Sequence, residues 1–311
     1  MGIPKISVIT PVYNGAEFIR ETVESIINVT TRIPFEYIVV NDGSTDSTLQ
    51  ILSKYSQKAR VLSFENQGES ASVNEGLLAA KGKYILVVSA DDPILDGNLF
   101  EEAIRILDFN PKIVAVYPDW QVINEIGEIK RKIIVDEFSL KALVGEIKTL
   151  PGPGAVFRKE SALAIGGRRS KWKYVGDYDF WLRLSTVGSF QRIPKILAQW
   201  REHSSSTSVS QKNTVMAKER IEVIEEFLKD FELPKKIQKM ALSNAYYLAA
   251  RLAYFDRRIN GRKLFFQALK KGGRFPSVGH PVIILYLLSW PLSRYISTIL
   301  PSFLAEKTRR P

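Results

Sequence analysis

The sequence predicts an α/β fold, with a doubly wound, mainly parallel sheet followed by a helical C-terminal region. Three observations lead to this. Strand-like and helix-like segments alternate four times between residues 5 and 89, joined by short links, the pattern of parallel strands with crossover helices. Two of the strands stop abruptly on acids, at Asp42 and at Asp91-Asp92. After a serine-rich stretch at 204–210 the strand signal ends and a helical period takes over. The division read from this is an α/β domain over residues 1–205 and a basic helical region over 206–311.

Residues 5–11 read as the first strand, and Tyr13-Asn14-Gly15 as a turn. Residues 16–29 then place Phe18, Ile19, Val23, Ile26 and Ile27 on one helical stripe. A second strand at 35–40 runs into a loop at 41–46 rich in helix N-cap residues, and Leu49, Ile51 and Leu52 continue into a helix. Residues 61–64 are a short third strand. A turn at Asn66-Gln67-Gly68 leads to a helix over 70–80, closed by Gly82. The fourth strand, 84–89, is an unbroken apolar run, as expected of a strand buried on both faces.

Asp91 and Asp92 cannot share that burial, because an unpaired buried charge is costly. Read alone, Asp91-Asp92-Pro93 is a turn with a helix cap. Ligands of open α/β sheets, however, bind beyond the carboxyl ends of the strands, and parallel strands bring all those ends together. Acids at two such ends suit a hard divalent cation and a phosphorylated ligand.

Further along, residues 98–108 read as a helix, 112–118 as a strand and 121–136 as a hairpin or loop around Gly127. A restricted loop, Leu150-Pro151-Gly152-Pro153-Gly154, precedes a short strand at 155–157. Ile165-Gly166-Gly167 ends a helix. Asp177 and Asp179 stand at the start of another, where the helix dipole favours acids. Residues 193–201 read as the last strand. Amphipathic helices follow at 213–230 and 235–256, then a strongly basic stretch at 258–271. The apolar segment 281–292 is about half the ~20 residues that a span requires. Extended to 300 it takes in Pro291 and Arg294, and lying in a membrane interface beside the basic stretch fits it better than crossing.

Composition narrows the function. The 311 residues carry a net charge of +11, with the excess in the C-terminal part. Such an excess points to an anionic partner. No nucleic-acid motif is present, so an anionic membrane surface ranks ahead of nucleic acid. The absence of cysteine excludes disulfides, thiolate metal sites and cysteine nucleophiles. The N-terminus has no secretory pattern, and a cytoplasmic location is expected.

Taken in order, Val8-Ile9-Thr10-Pro11-Val12-Tyr13-Asn14, residues 38–46, Asn66-Gln67-Gly68, Asn74-Glu75-Gly76, Ala80-Lys81-Gly82, Ser89-Ala90-Asp91-Asp92, Gly166-Gly167, residues 177–184 and Arg201-Glu202-His203 resemble the family-2 inverting glycosyltransferases of the GT-A fold. The resemblance covers residues 5–205. It implies transfer of a sugar from a nucleotide-diphosphate sugar to a glycan or lipid-linked glycan acceptor, with Mg²⁺ or Mn²⁺ as cofactor. It assigns Thr10, Pro11, Tyr13, Asp42, Ser89, Ala90, Asp91 and Arg201 to the donor, and Asp91, Asp92 and His203 to the metal. Asp177 becomes the base, while Gly152, Gly154, Asp179 and Trp181 fall to the acceptor. Three positions depart from the family pattern: Ser89 stands where the first acid of the metal motif is expected, Val73 where the family often has an arginine that contacts the diphosphate, and Gly176 where a glutamate often precedes the base. Transfer to a polyprenyl phosphate and a non-catalytic nucleotide-sugar-binding module remain as alternatives. Nucleotidyl transfer would want a glycine-rich basic loop near the N-terminus, which is absent.

Overall fold

A computed structural model describes residues 3–148, 151–204, 214–254, 256 and 258–272. The chain forms two compact units, Met1–Phe138 with Leu150–Ser206, and Ser139–Thr149 with Thr207–Pro311. The sequence reading put residues 139–149 in the first domain. In the structure they group with the second.

In the first unit, strands β1 (Ile6–Val12), β2 (Phe35–Asp42), β3 (Arg60–Phe64), β4 (Tyr84–Val87), β5 (Ile113–Ile123), β6 (Ile129–Ile133), β7 (Val156–Arg158) and β8 (Ser189–Arg201) make one sheet. The order is β3-β2-β1-β4-β7-β5-β6, with β8 paired to β5. Strands β1 to β4 are mutually parallel where they pair, and so are β5 and β8. The short β7 runs antiparallel to both neighbours, and β5 and β6 close the hairpin around Gly127, whose φ is +87°. Because β7 reverses direction between β4 and β5, the C-terminal ends of β1, β2, β4, β5 and β8 all emerge on one edge. Chain order reverses at β1, which lies between β2 and β4. A crevice opens at such a switch point.

The apolar patterns explain the layers. All seven residues of β1 are buried. Helix α1 (Ile19–Ile27) turns Ile19, Val23 and Ile26 into the same core as Ile6, Val8, Tyr84 and Leu86. Helices α2 (Thr48–Ser53), α3 (Glu69–Ala79), α4 (Asn98–Phe109), α5 (Lys159–Ala164) and α6 (Gly176–Leu184) complete the unit. Several strand boundaries differ from the sequence reading, and β8 begins at Ser189 where 193 was expected. β4 stops at Val87, and Val88 gives one last bond to Ile9 O before Asp92 N turns back onto Ser89 O at 3.1 Å. β5 continues past Pro118 to Ile123, because its pairing with β8 shifts register there and absorbs the missing proline donor.

In the second unit, a single turn at Lys141–Gly145 packs on α8 (Lys235–Arg251), where Asn244 Nδ2 donates to Gly145 O at 2.7 Å. Helices α7 (Thr214–Asp230) and α9 (Gly261–Gly272) join it. Tyr247, Ala250, Phe265 and Ala268 form a small buried cluster between α8 and α9. The helix expected over 235–256 closes at Arg251 and continues as a 3₁₀ turn, Leu252–Tyr254. No helix among the described residues is long and apolar enough to cross a membrane. The apolar segment 281–300 lies outside the described residues.

The link into β4 shows how tightly the sheet edge is fitted. Gly82 N donates to Ser7 Oγ at 2.8 Å, and a Cβ at Gly82 would meet Ser7 N at 2.5 Å. We expect Gly82→Ala to destabilise the protein by about 1–3 kcal/mol, as overpacking does, read as a lower Tm in thermal unfolding.

Candidate functional site

Three loops at the shared strand edge build the first part of the site. Asn14 adopts a left-handed φ of +51°, and its amide donates to Ser44 Oγ at 2.9 Å while its Oδ1 accepts Thr45 N at 2.8 Å. Gly15 N and Ala16 N donate to Thr48 Oγ1 and Asp46 Oδ2 at 2.9 and 3.1 Å. The loops after β1 and β2 are thereby locked together. Tyr13 is left standing out of them, 52% exposed. Thr10 and Pro11 are buried within β1, and Thr10 Oγ1 accepts the Tyr37 hydroxyl at 3.2 Å. Asp42 is also buried. Its two oxygens accept Gln67 N and Gly68 N at 2.9 and 2.8 Å, fixing the turn before α3.

At the exit of β4, Ser89 is exposed and Ala90 half-buried. Helix α1 holds this loop: Thr22 Oγ1 donates to Ala90 O at 2.9 Å, and Ser25 Oγ accepts Ile94 N at 3.0 Å. Beyond it the two aspartates part. Asp91 keeps 27% of its side chain open, and its Oδ2 lies 2.8 Å from His203 Nε2. Asp92 turns inward and accepts Arg201 N at 2.7 Å. Burial, reinforced by the neighbouring charge of Asp91, pushes the Asp92 carboxyl well above the ordinary carboxylate range.

Arg201 is fully buried at the end of β8. Its Nε donates to Asp91 O at 2.9 Å and its Nη1 to Glu125 O and Asn124 O at 2.8 and 3.2 Å. Nη2 meets Glu21 Oε2 at 2.6 Å, and the guanidinium lies 5.0 Å from the Phe18 ring centre. Phe18 in turn packs on His203 at 4.7 Å. Arg201, expected at the donor, is enclosed and engaged by the protein. Asp92, expected at the metal, belongs to the same internal network. Asp91 and His203 remain as an oxygen–nitrogen pair of the kind that holds a divalent cation. Among the described residues no third His, Asp or Glu joins them.

The second part of the site is the start of α6. Asp177 is exposed, with Oδ1 accepting Tyr178 N at 2.7 Å. Desolvation raises its pKa, with Arg168 pulling it down and Glu69 adding to the rise. Gly176 allows this placement, since a Cβ there would come 2.6 Å from Ser70 Oγ. Glycine at 176 therefore packs against Ser70 without a shift of its hydroxyl.

The residues expected at the acceptor are held by contacts within the fold. Asp179 is buried and bound to Arg183, whose Nε and Nη2 approach Asp179 Oδ2 at 2.9 and 2.8 Å. Arg183 also donates to Ile165 O and Gly167 O, closing the Gly166-Gly167 turn. Trp181 is in the core, edge-on to Phe157 and Phe180 at 5.7 and 4.9 Å. A Cβ at Gly152 would meet Trp120 Nε1 at 2.9 Å, and one at Gly154 would meet Ala198 Cβ at 2.6 Å. These glycines let the loop lie flat on β5 and β8. The sequence reading missed Glu21, Phe18 and Arg168, which have no motif of their own. Asn74 was visible only as part of a motif. Its side chain brackets Arg168, donating to Arg168 O at 2.7 Å and accepting Arg168 N at 2.8 Å.

The profile described as Glycosyl transferase family 2 matches residues 7–166. An uncharacterised glycosyltransferase of Rickettsia prowazekii is 33% identical over 217 residues, which are 66% of this chain and 66% of that protein. The S. aureus TarS fragment 1–349, solved in complex with UDP-GlcNAc, is similar in structure with a TM-score of 0.66 at 18% identity, over 94% of this chain and 92% of that one. The mannosyltransferase PcManGT of Pyrobaculum calidifontis, solved with GDP-Man and Mn²⁺, gives 0.59 at 15% identity, over 97% and 82%. These structural likenesses establish the GT-A fold.

Replacing Arg201 with Met leaves the carbonyls of Asp91, Asn124 and Glu125 without their guanidinium donor, at about 1–3 kcal/mol for each buried acceptor left unsatisfied. We expect a Tm lower by about 2–4 °C per kcal/mol for a unit of this size. Arg201→Lys should restore little, since an ammonium lacks the planar fork.

Proposed function

The chain belongs to glycosyltransferase family 2, and from that premise we propose that it is an inverting transferase, moving a sugar from a nucleotide-diphosphate sugar to a hydroxyl of a glycan or lipid-linked glycan in cell-surface glycan synthesis. The observation that carries this reading is Asp177. Of the acids assigned to the donor, metal, base and acceptor, it is the one that combines an exposed carboxylate with a raised pKa. Inversion needs a single displacement and therefore a single base. Asp177 takes the proton of the acceptor hydroxyl as its oxygen attacks the anomeric carbon, while the nucleotide diphosphate leaves from the opposite face.

Donor binding falls to the switch-point crevice. Tyr13 offers an exposed aromatic face to the base, and Ser89 and Ala90 border the sugar-diphosphate path. Asp91 and His203 fit a divalent cation, Mg²⁺ or Mn²⁺. Cations of this type are commonly held by one or two protein ligands together with substrate phosphates. When bound there, the cation would neutralise the departing diphosphate. Arg201 keeps Asp91 and His203 in register for it. The basic stretch at 258–271 and the net charge of +11 support action at the cytoplasmic face of an anionic membrane.

We expect Asp177→Asn to lower transfer by roughly 10²–10⁴-fold, the usual contribution of a general base, while nucleotide-sugar affinity measured by calorimetry stays within about twofold, a modest change on the affinity scale. Equal loss of both would remove Asp177 from the base role. The base works ionised, so the rate falls as pH drops through its pKa. Because that pKa is raised, the acid limb of kcat/KM should lie above the ordinary carboxylate range and vanish in Asp177→Asn. A chelator should stop transfer and Mn²⁺ restore it, with Asp91→Ala insensitive to both. A rate indifferent to chelation would undo the assignment of Asp91 and His203.

A further inference from the structure

The second unit carries a separation of charge that the transferase site does not use. Helices α8 and α9 contain lysines and arginines and neither Asp nor Glu, whereas α7 carries Glu219, Glu222, Glu225, Glu226 and Asp230. One side of α9 is taken up by packing. Phe265 and Ala268 are buried against Tyr247 and Ala250 of α8, and Lys271 is drawn to Glu225 of α7 at 2.9 Å. The approach to the helix is also held: Asp256 Oδ2 accepts Thr214 N at 3.1 Å and Arg258 Nη2 at 2.8 Å. These contacts leave the opposite side of α9 facing outward. It bears Arg262, Phe266 and Lys270, spaced four residues apart and so stacked along one helix face. Lys263 stands beside Arg262. All four are exposed, Phe266 at 48%. The Arg262 guanidinium lies 5.8 Å from the Phe266 ring centre. Among the described residues no carboxylate pairs with Arg262, Lys263 or Lys270.

An apolar ring held in water among cations asks two things of a partner: negative charge for the cations and an apolar layer for the ring. An anionic bilayer supplies both at the depth of a helix lying in its interface. A nucleic acid duplex supplies the charge alone, since its bases are stacked inside. We propose that the outer face of α9 is a docking site for an anionic lipid surface, with Phe266 entering the boundary of the acyl chains and Arg262, Lys263 and Lys270 binding headgroup phosphates. This rests on the reading above that the enzyme acts at an anionic membrane. It assigns the contact to a folded helix of the second unit, where the sequence pointed to the apolar segment 281–292. The buried side of α9 supports the assignment, because a helix anchored through Phe265 and Ala268 can offer its charged face without unfolding.

The test floats the full chain with vesicles of phosphatidylcholine, alone or mixed with phosphatidylglycerol, and titrates it separately with duplex DNA. Partition onto the phosphatidylglycerol vesicles should exceed that onto neutral ones by about ten-fold or more, and fall as salt screens the headgroups. The triple variant Arg262→Gln, Lys263→Gln, Lys270→Gln should lose about five-fold per cation removed. Phe266→Gln should lose about five-fold, because roughly half of the ring is free to transfer. Phe266→Leu should retain the wild-type partition. The chain has no cysteine, so a dye on a single introduced thiol reports depth. At Phe266→Cys its emission should shift to the blue on phosphatidylglycerol vesicles, and at Lys229→Cys, on the acidic α7, it should not. An equal shift at both positions overturns the proposal, as does tighter binding to the duplex than to the vesicles. If the chain binds anionic vesicles but neither the triple variant nor Phe266→Gln weakens it, only this inference fails. If the unaltered chain does not bind them at all, the membrane reading beneath it fails as well.

Discussion

The buried guanidinium of Arg201 is the constraint on which the catalytic edge depends. A charge removed from water must be met by hydrogen-bond partners on every side, and this one is met by the chain ends of two elements and a carboxylate from a third. It draws in the carbonyl of Asp91 after β4, the carbonyls of Asn124 and Glu125 after β5, and Glu21 from α1. Its own amide anchors Asp92. Hydrogen bonds to charged groups are each worth about 1.5–3 kcal/mol net, so the cluster holds strand ends that the sheet ladder alone would leave loose. His203, two residues on, inherits its position from this arrangement and from the ring of Phe18.

The same physics divides the acids of the site. Asp42 holds a turn, Asp92 joins the Arg201 network, and Asp179 is locked to Arg183 beneath the Gly166-Gly167 turn. Each is buried and has a structural duty. Asp91 and Asp177 retain access to solvent and are the ones left for chemistry. A family of carboxylates that looks uniform along the chain is thus separated into supports and reactive groups by where its hydrogen-bond partners lie.

The loop before α6 adds a second division. The first part of the site is assembled from strand ends whose geometry the sheet dictates. The start of α6 depends instead on a loop pinned to α3 by Asn74 and on a glycine that fits under Ser70.

The alternation of apolar runs and short links determined the parallel sheet, because burial on both faces and crossover handedness leave few other arrangements. The placement of acids at strand ends likewise marked the edge where the site lies, and Asp91 was legible as a candidate for that reason, Asp177 and His203 through the family resemblance. What the tertiary structure decided is which side chains remain open. Arg201, Asp92, Asp179 and Trp181 read as ligands in one dimension, yet each is buried, with partners that range from Arg183, four residues from Asp179, to Glu21, 180 positions from Arg201. The grouping of residues 139–149 with the helices of the second unit, and the fit of Gly176 against Ser70, are equally non-local. Burial and hydrogen-bond pairing are properties of neighbours in space, and a local pattern can show which residue types are available without showing which of them the fold has already engaged.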